Sequence, residues 1–187
     1  MKPSSDIILY EIFTPTPIDQ AFQGLKKILL GSNCKIISEK PHTYICVTHG
    51  SLRGILPLSA KKVVSFFLTS DGKGTKISSS SQISDDWKNL TLYGSLIVAA
   101  LIGIFTWISI DMNSYIETSS PSFWAWLAQI YGPQGSWGAI FLIGLIQALA
   151  IFLVFTIFFE ILIVIYVYPR KNAFSRQVLE KITKMEY

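Results

Sequence analysis

The distribution of positive charge constrains this chain more than any other feature. Two long apolar runs, residues 90–110 and 138–168, bracket a 27-residue segment, 111–137, that contains no Lys or Arg. Of the 16 basic residues, 11 precede the first run and 5 follow the second. Loops on the cytoplasmic side of a membrane collect Lys and Arg, so the pattern predicts an integral membrane protein with two spans, both termini inside and one short loop outside. The expected division is a cytoplasmic α+β domain over 1–86, a first span over 87–110, an extracytoplasmic loop over 111–137, a second span over 138–168 and a basic cytoplasmic tail over 169–187.

At 187 residues, half of them hydrophobic, the chain has room for one small domain besides the two spans. Its net charge of +4 is uneven. Residues 1–88 hold 11 basic and 7 acidic groups, the loop holds only Asp111 and Glu117, and the tail from Pro169 holds 5 basic and 2 acidic groups. Such a balance fits contact with anionic lipid headgroups. Nucleic acid is not expected as a partner, since no basic stripe interleaved with aromatics runs through the domain. The first apolar stretch, 7–13, is short, contains Glu11 and lacks a cleavage pattern, so the first span is expected to serve as its own insertion signal. Both cysteines, Cys34 and Cys46, fall in the segment assigned to the cytoplasm, where thiols stay reduced.

In the domain, residues 6–13 are rich in β-branched and aromatic types and predict a strand. Thr16, Pro17 and Asp19 form a capping-box-like helix start, and Ile18, Ala21, Phe22, Leu25, Ile28 and Leu29 make an apolar stripe at helical spacing. Gly31 is placed to end that helix, at about 17–30. Strands are expected at 35–38 and 43–48 around a turn at 39–41, and at 61–69 and 75–83 around the Ser70–Gly74 turn. Val64, Phe66 and Leu68 share one face of the first hairpin arm, and Thr75, Ile77, Ser79, Ser81 and Ile83 share one face of the second. Residues 51–59 hold Gly54 and Pro57 and predict an irregular or edge segment. The fold class is therefore α+β: a small antiparallel sheet with one helix across it, followed by a two-helix transmembrane hairpin.

A strand, a Pro-started helix carrying Ala21 and Phe22, and a meander ending in the Gly74-Thr75-Lys76-Ile77 hairpin arm resemble a shortened START-like (SRPBCC, helix-grip) module. The chain is also similar to uncharacterised archaeal two-span membrane proteins, in which a sheet enters a span through a stretch like Ser84-Asp85-Asp86-Trp87. The resemblance covers roughly residues 6–87 and implies a binding module for a lipid or another apolar ligand. Full START-like domains end in a long amphipathic helix that closes a ligand cavity; here the first apolar run takes that place.

The first run, with 21 residues, is close to the roughly 20 that cross a hydrocarbon core of about 30 Å. Ser95, Ala99 and Gly103 repeat every four residues, as do Gly144 and Ala148 in the second run. Small residues at this spacing let helices approach closely. Two readings follow: the two faces pack against each other as a hairpin, or they dock a separate membrane subunit or a second copy. The second run is 31 residues, about 46 Å as a straight helix, so one end is expected to protrude. Glu160 falls about 12 Å along the axis from Tyr168. It is a candidate functional carboxylate, or else an acid near the interface. Gln147 is expected to hydrogen-bond between helices. Trp87, Trp124, Trp126, Tyr131, Trp137, Tyr166 and Tyr168 are expected interfacial anchors.

Residues 121–131 are apolar nearly all round but too short to span, and predict an interfacial helix begun by Pro121 and stopped by Gly132-Pro133. The tail predicts an amphipathic helix on the inner membrane surface, with Phe174, Val178, Ile182 and Met185 on one face. Cys34, His42, Cys46 and His49 crowd into 16 residues and invite a zinc reading. Against it, His42 and Cys46 on one strand would lie roughly 13 Å apart, and His49 has the opposite parity. No metal, cofactor or catalytic constellation is expected. The leading expectation is a non-catalytic membrane protein that presents a small cytoplasmic binding domain, as an accessory subunit of a larger membrane complex. An ion- or proton-transport subunit using Glu160 is the alternative.

Overall fold

The computed structural model describes residues 10–184. Its elements run β1 (Tyr10–Thr14), α1 (Ile18–Gly31), β2 (Lys35–Lys40), β3 (Tyr44–His49), β4 (Lys62–Ser70), β5 (Thr75–Ile83), α2 (Asp85–Thr118), α3 (Ala125–Ile130), α4 (Trp137–Val167) and α5 (Ala173–Lys184). Two compact units form. Met1–Leu90 and Ile163–Tyr187 belong to one, Thr91–Leu162 to the other.

In the first unit five antiparallel strands pair in the order β1-β5-β4-β3-β2. The β4–β5 hairpin is the spine: Lys62↔Ile83 through Ser70↔Thr75 pair without interruption. Its turn places Gly72 at φ +64, a conformation that glycine adopts without Cβ strain. The expected alternation holds, with Val64, Phe66, Leu68, Thr75, Ile77, Ser79, Ser81 and Ile83 all buried. The start of the strand predicted over 6–13 lies outside the described residues, and β1 begins at Tyr10.

Helix α1 lays Ala21, Phe22, Leu25, Ile28 and Leu29 onto Ile45, Val47, Val64, Phe66 and Ile77 of the sheet. Both its ends differ from expectation. Pro17, at φ −57 and ψ 150, is itself the N-cap, and its carbonyl accepts the first helical bond from Ala21 at 2.9 Å. Thr16 therefore lies one residue too early to cap; its hydroxyl meets that of Thr14 at 2.6 Å. Asp19 turns away to His42, whose Nδ1 is 2.6 Å from the carboxylate. At the other end Gly31 stays helical, and Asn33, at φ +54, makes the left-handed turn that returns the chain to β2. Asn is among the few residues that tolerate this region. The β2–β3 turn likewise falls later than 39–41, at His42 with φ +64.

The largest departure concerns the tail. Helix α5 buries Phe174, Val178, Leu179 and Ile182 in the same core as α1, against the sheet. The sheet therefore carries two helices, not one, and the tail is part of the domain. (Met185, expected on the same stripe, lies outside the described residues.) A stripe of apolar residues at helical spacing records that a face is buried, not what buries it. A third cluster joins Ala60 and Ile83 to Trp87 in the first turn of α2 and to Ile163, Val164 and Val167 at the end of α4.

In the second unit α2 and α4 are long enough and apolar enough to cross a membrane. Helix α2 does not stop at Ile110, because no Gly or Pro lies between Ile110 and Pro121; it ends where Ser119 takes φ +55. Ile108 and Met112 of α2 pack with Ala139, Ile143 and Ile146 of α4 and Ala128 of α3. The loop helix is shorter than expected, six residues instead of eleven, because Asp111 captures the preceding chain: its carboxylate accepts the Ser122 hydroxyl and, at 3.1 Å, the Trp124 N–H.

Leu179 is fully buried between α5 and the sheet. Leu179→Ala should lower unfolding free energy by about 2–5 kcal/mol. Exposed Lys181→Ala should shift it by no more than about 0.5 kcal/mol. Denaturant titration of both variants in the same detergent would check this; equal, negligible shifts would mean that α5 is not part of the core.

Candidate functional site

The residues singled out in the sequence separate into four places. On α2 and α4 the small-residue faces do not meet. Ala99, Gly103, Gly144 and Ala148 are exposed, Ser95 is half-buried, and a Cβ added at Gly103 or Gly144 would touch nothing within 4 Å. The hairpin closes instead on larger side chains, with Phe105, Ile108, Met112, Ile143 and Ile146 in contact. Ser95 turns its hydroxyl back to the Thr91 carbonyl at 3.0 Å. Gln147 is exposed on α4, and among the described residues its side chain makes no interhelical hydrogen bond.

Glu160 is half-buried on α4, facing α2. A Cβ built on Gly94 would lie 3.8 Å from its Oε1, an ordinary van der Waals contact, so the carboxylate lies beside Gly94 of α2. Glu160 is also the only charged side chain between residues 138 and 168.

The aromatic anchors divide. Trp126, Tyr131, Trp137, Tyr166 and Tyr168 are exposed. Trp124 is half-buried at the centre of a cluster in which Trp107, Phe123 and Trp126 have ring centroids 5.1–6.2 Å from it. Trp87 departs from expectation. It is only 4% exposed, and its indole N–H donates to the Gly54 carbonyl at 3.0 Å. It bolts α2 to the domain and is not a lipid-facing anchor.

The cysteines and histidines also divide. His42 points outward to Asp19, and Cys46 lies on the far sheet face, 3.5 Å from the Ser65 hydroxyl. Cys34 and His49 meet, with Sγ to Nδ1 at 3.5 Å, and the Phe174 ring stacks on His49 at 3.7 Å. Among the described residues no group of three or more His, Cys, Asp or Glu could hold a metal ion. Burial pushes the Cys34 thiol up to about 11, which keeps it protonated and a poor nucleophile. Burial, then the charge of Lys62, pushes the His49 imidazole down, so it is neutral near pH 7.

Lys62 was not singled out by its sequence context. It pairs with His49 in the β3–β4 register, is fully buried, and donates to the Pro57 carbonyl. The signal was its parity, shared with Val64, Phe66 and Leu68. A cleft of about 460 Å³ lies at the start of α5, lined among others by Tyr10, Arg170, Asn172, Arg176 and Glu180. Arg176 is already committed there, 2.9 Å from Glu180.

Burial lowers Lys62 from 10.5 to about 8. Between about pH 8 and 10.5 the unfolded chain keeps a proton that the folded chain has released, so stability rises with pH across that window. At pH 7 the buried charge costs about 3 kcal/mol. Lys62→Met should therefore stabilise the protein at pH 7 by about 0–2 kcal/mol, after the cost of leaving the Pro57 carbonyl unpaired. Its advantage over the wild type should shrink as pH approaches 10. Urea titrations at several pH values would check this, and a pH-independent difference would count against the buried charge.

Compared with known protein families, with curated proteins and with solved structures, the chain showed no match.

Proposed function

We propose that this chain is a non-catalytic, two-span membrane protein with both termini in the cytoplasm. It holds its α+β domain at the inner membrane surface as an accessory subunit of a larger membrane complex. The charge partition supports the orientation: every Lys and Arg falls outside the interval between the two apolar runs. Exposed Leu, Ile, Val and Phe side chains along α2 and α4 support the lipid environment, since in water so much apolar surface would drive association. Helix α2 would extend beyond the hydrocarbon on the outer side, where Asp111 and the Trp107–Trp124 cluster tie down the loop.

The observation that carries the accessory-subunit reading is the freedom of the small-residue faces. Had Ala99-Gly103 and Gly144-Ala148 packed on each other, the hairpin would have consumed them. Within the chain they face open space instead, and a helix can approach such a surface closely. The occupant would be a helix of another membrane protein or of a second copy. The START-like resemblance remains part of this reading, as a binding module, although Phe22, Leu25, Phe66 and Leu179 fill the helix–sheet interface.

Gly103→Leu and Gly144→Leu should abolish a stoichiometric complex isolated from native membranes in mild detergent, as read by native mass spectrometry, without lowering thermal stability. Retention of the complex by both variants would overturn the accessory-subunit reading. Orientation has its own check. A membrane-impermeant maleimide should label Ser119→Cys from outside intact cells, and Lys184→Cys only after permeabilisation.

A further inference from the structure

The segment between β3 and β4, residues 50–61, combines a fixed backbone with an apolar exterior. Ser51 and Ser59 are joined by an N–H to carbonyl bond of 2.8 Å, Lys61 returns its N–H to the Ser51 carbonyl at 3.0 Å, and Ala60 bonds Leu56 at 2.8 Å. The Ser59 hydroxyl binds the Leu56 backbone through both its N–H and its carbonyl. Gly54, Pro57 and Ala60 turn inward, and a Cβ at Gly54 would collide with the Ser59 carbonyl. Two bolts then hold the loop to the body: Lys62 on the Pro57 carbonyl, and the Trp87 indole on the Gly54 carbonyl. Yet Leu52 is 41% exposed, Ile55 59%, Leu56 56% and Leu58 45%. Among the described residues, none of the four belongs to an apolar cluster of the domain.

We propose that this loop is a third membrane contact, inserting Leu52, Ile55, Leu56 and Leu58 into the headgroup–acyl boundary of the same bilayer that α2 and α4 cross. The proposal rests on the membrane reading above. The occupant follows from continuity with the spans. Gly54 is hydrogen-bonded to Trp87, which precedes Leu90, the first residue of the apolar run, by less than one helical turn. Ile55 and Leu56 follow Gly54 by one and two residues, within about 7 Å of chain. Val167, the last residue of α4, packs in the same cluster as Trp87 and Ala60. The loop thus lies where both spans meet the inner headgroups. Its one charged residue short of Lys61 is Arg53, of the sign that the cytoplasmic leaflet attracts and with a stem long enough to reach the phosphates while its neighbours enter the acyl boundary.

The test places an environment-sensitive NBD fluorophore at Leu56→Cys, at Gly72→Cys in the β4–β5 turn and at Leu96→Cys in α2. Each variant of the full chain is labelled under native conditions, where Cys34 and Cys46 are buried, and reconstituted into phosphatidylcholine–phosphatidylglycerol vesicles. Lipids doxyl-labelled near the headgroup should quench the Leu56 probe at least twofold more than the Gly72 probe, and aqueous iodide should do the reverse. Equal iodide quenching at Leu56 and Gly72 would overturn the proposal. So would a Leu56 probe shielded from both quenchers, which would mean that a protein surface covers the loop. The Leu96 probe separates the two levels of argument. If lipid quenches Leu96 but not Leu56, only the loop contact fails; if lipid quenches neither, the membrane reading itself fails.

Discussion

The apolar face of the sheet has to be covered, and no single stretch of the chain covers it. Helix α1 takes one part and α5 the rest, and between them in sequence lie both apolar helices. Phe174, Val178, Leu179 and Ile182 come from beyond residue 168, so the domain is complete only after the chain has passed through α2 and α4 and returned. Burial of four side chains of this size contributes on the order of 6–12 kcal/mol of transfer free energy, comparable with the whole stability of a small domain. The ends of α2 and α4 converge on Ala60, Ile83, Trp87 and Val167, a cluster that ties the exit and the return of the chain to the same edge of the fold.

That dependence explains which features were legible in the sequence. The β4–β5 hairpin, its turn and its inward face could be read residue by residue, because alternation and turn chemistry are local. The apolar stripe of α1 was equally plain. The stripe of α5 was seen too, but its partner was not: a basic amphipathic helix after a span has the same pattern whether it lies on lipid or on a sheet. The caps of α1 shifted by a residue or two because Pro17 and Asn33 compete with Thr16 and Gly31 for the same roles, and only geometry decides between them. The small-residue repeats were legible as close-approach surfaces, but not their direction. On a helix that is apolar all round, such as α4, no polar face says which side turns inward.

Trp87 and Lys62 show how position changes the meaning of a residue type. A tryptophan at the edge of an apolar run reads as a headgroup anchor, yet this one is nearly fully buried and spends its single donor on Gly54. A lysine at the start of a strand reads as solvated, yet this one lies inside and donates a hydrogen bond to the Pro57 carbonyl. Both bonds end on backbone carbonyls of the one loop between β3 and β4. An unpartnered carbonyl in those positions would cost more than an exposed one, so the two donors satisfy acceptors that the tight winding of the loop has turned inward.

The cost of Lys62 follows from the same geometry. A methionine would fill the volume without a buried charge, but it would leave the Pro57 carbonyl unpaired and remove one of the two side-chain bonds that hold the loop to the body. Bonds from two separate elements, β4 and α2, hold the loop at two points, the Pro57 and Gly54 carbonyls. Holding Leu52, Ile55, Leu56 and Leu58 outward in a defined orientation is of no use to the core, which they do not enter. It is of use to a surface that must meet something flat at a set angle. On the membrane reading, that demand and the depressed ionisation of Lys62 are two aspects of one constraint: the fold accepts an internal charge so that a short apolar loop stays rigid beside the ends of two long helices.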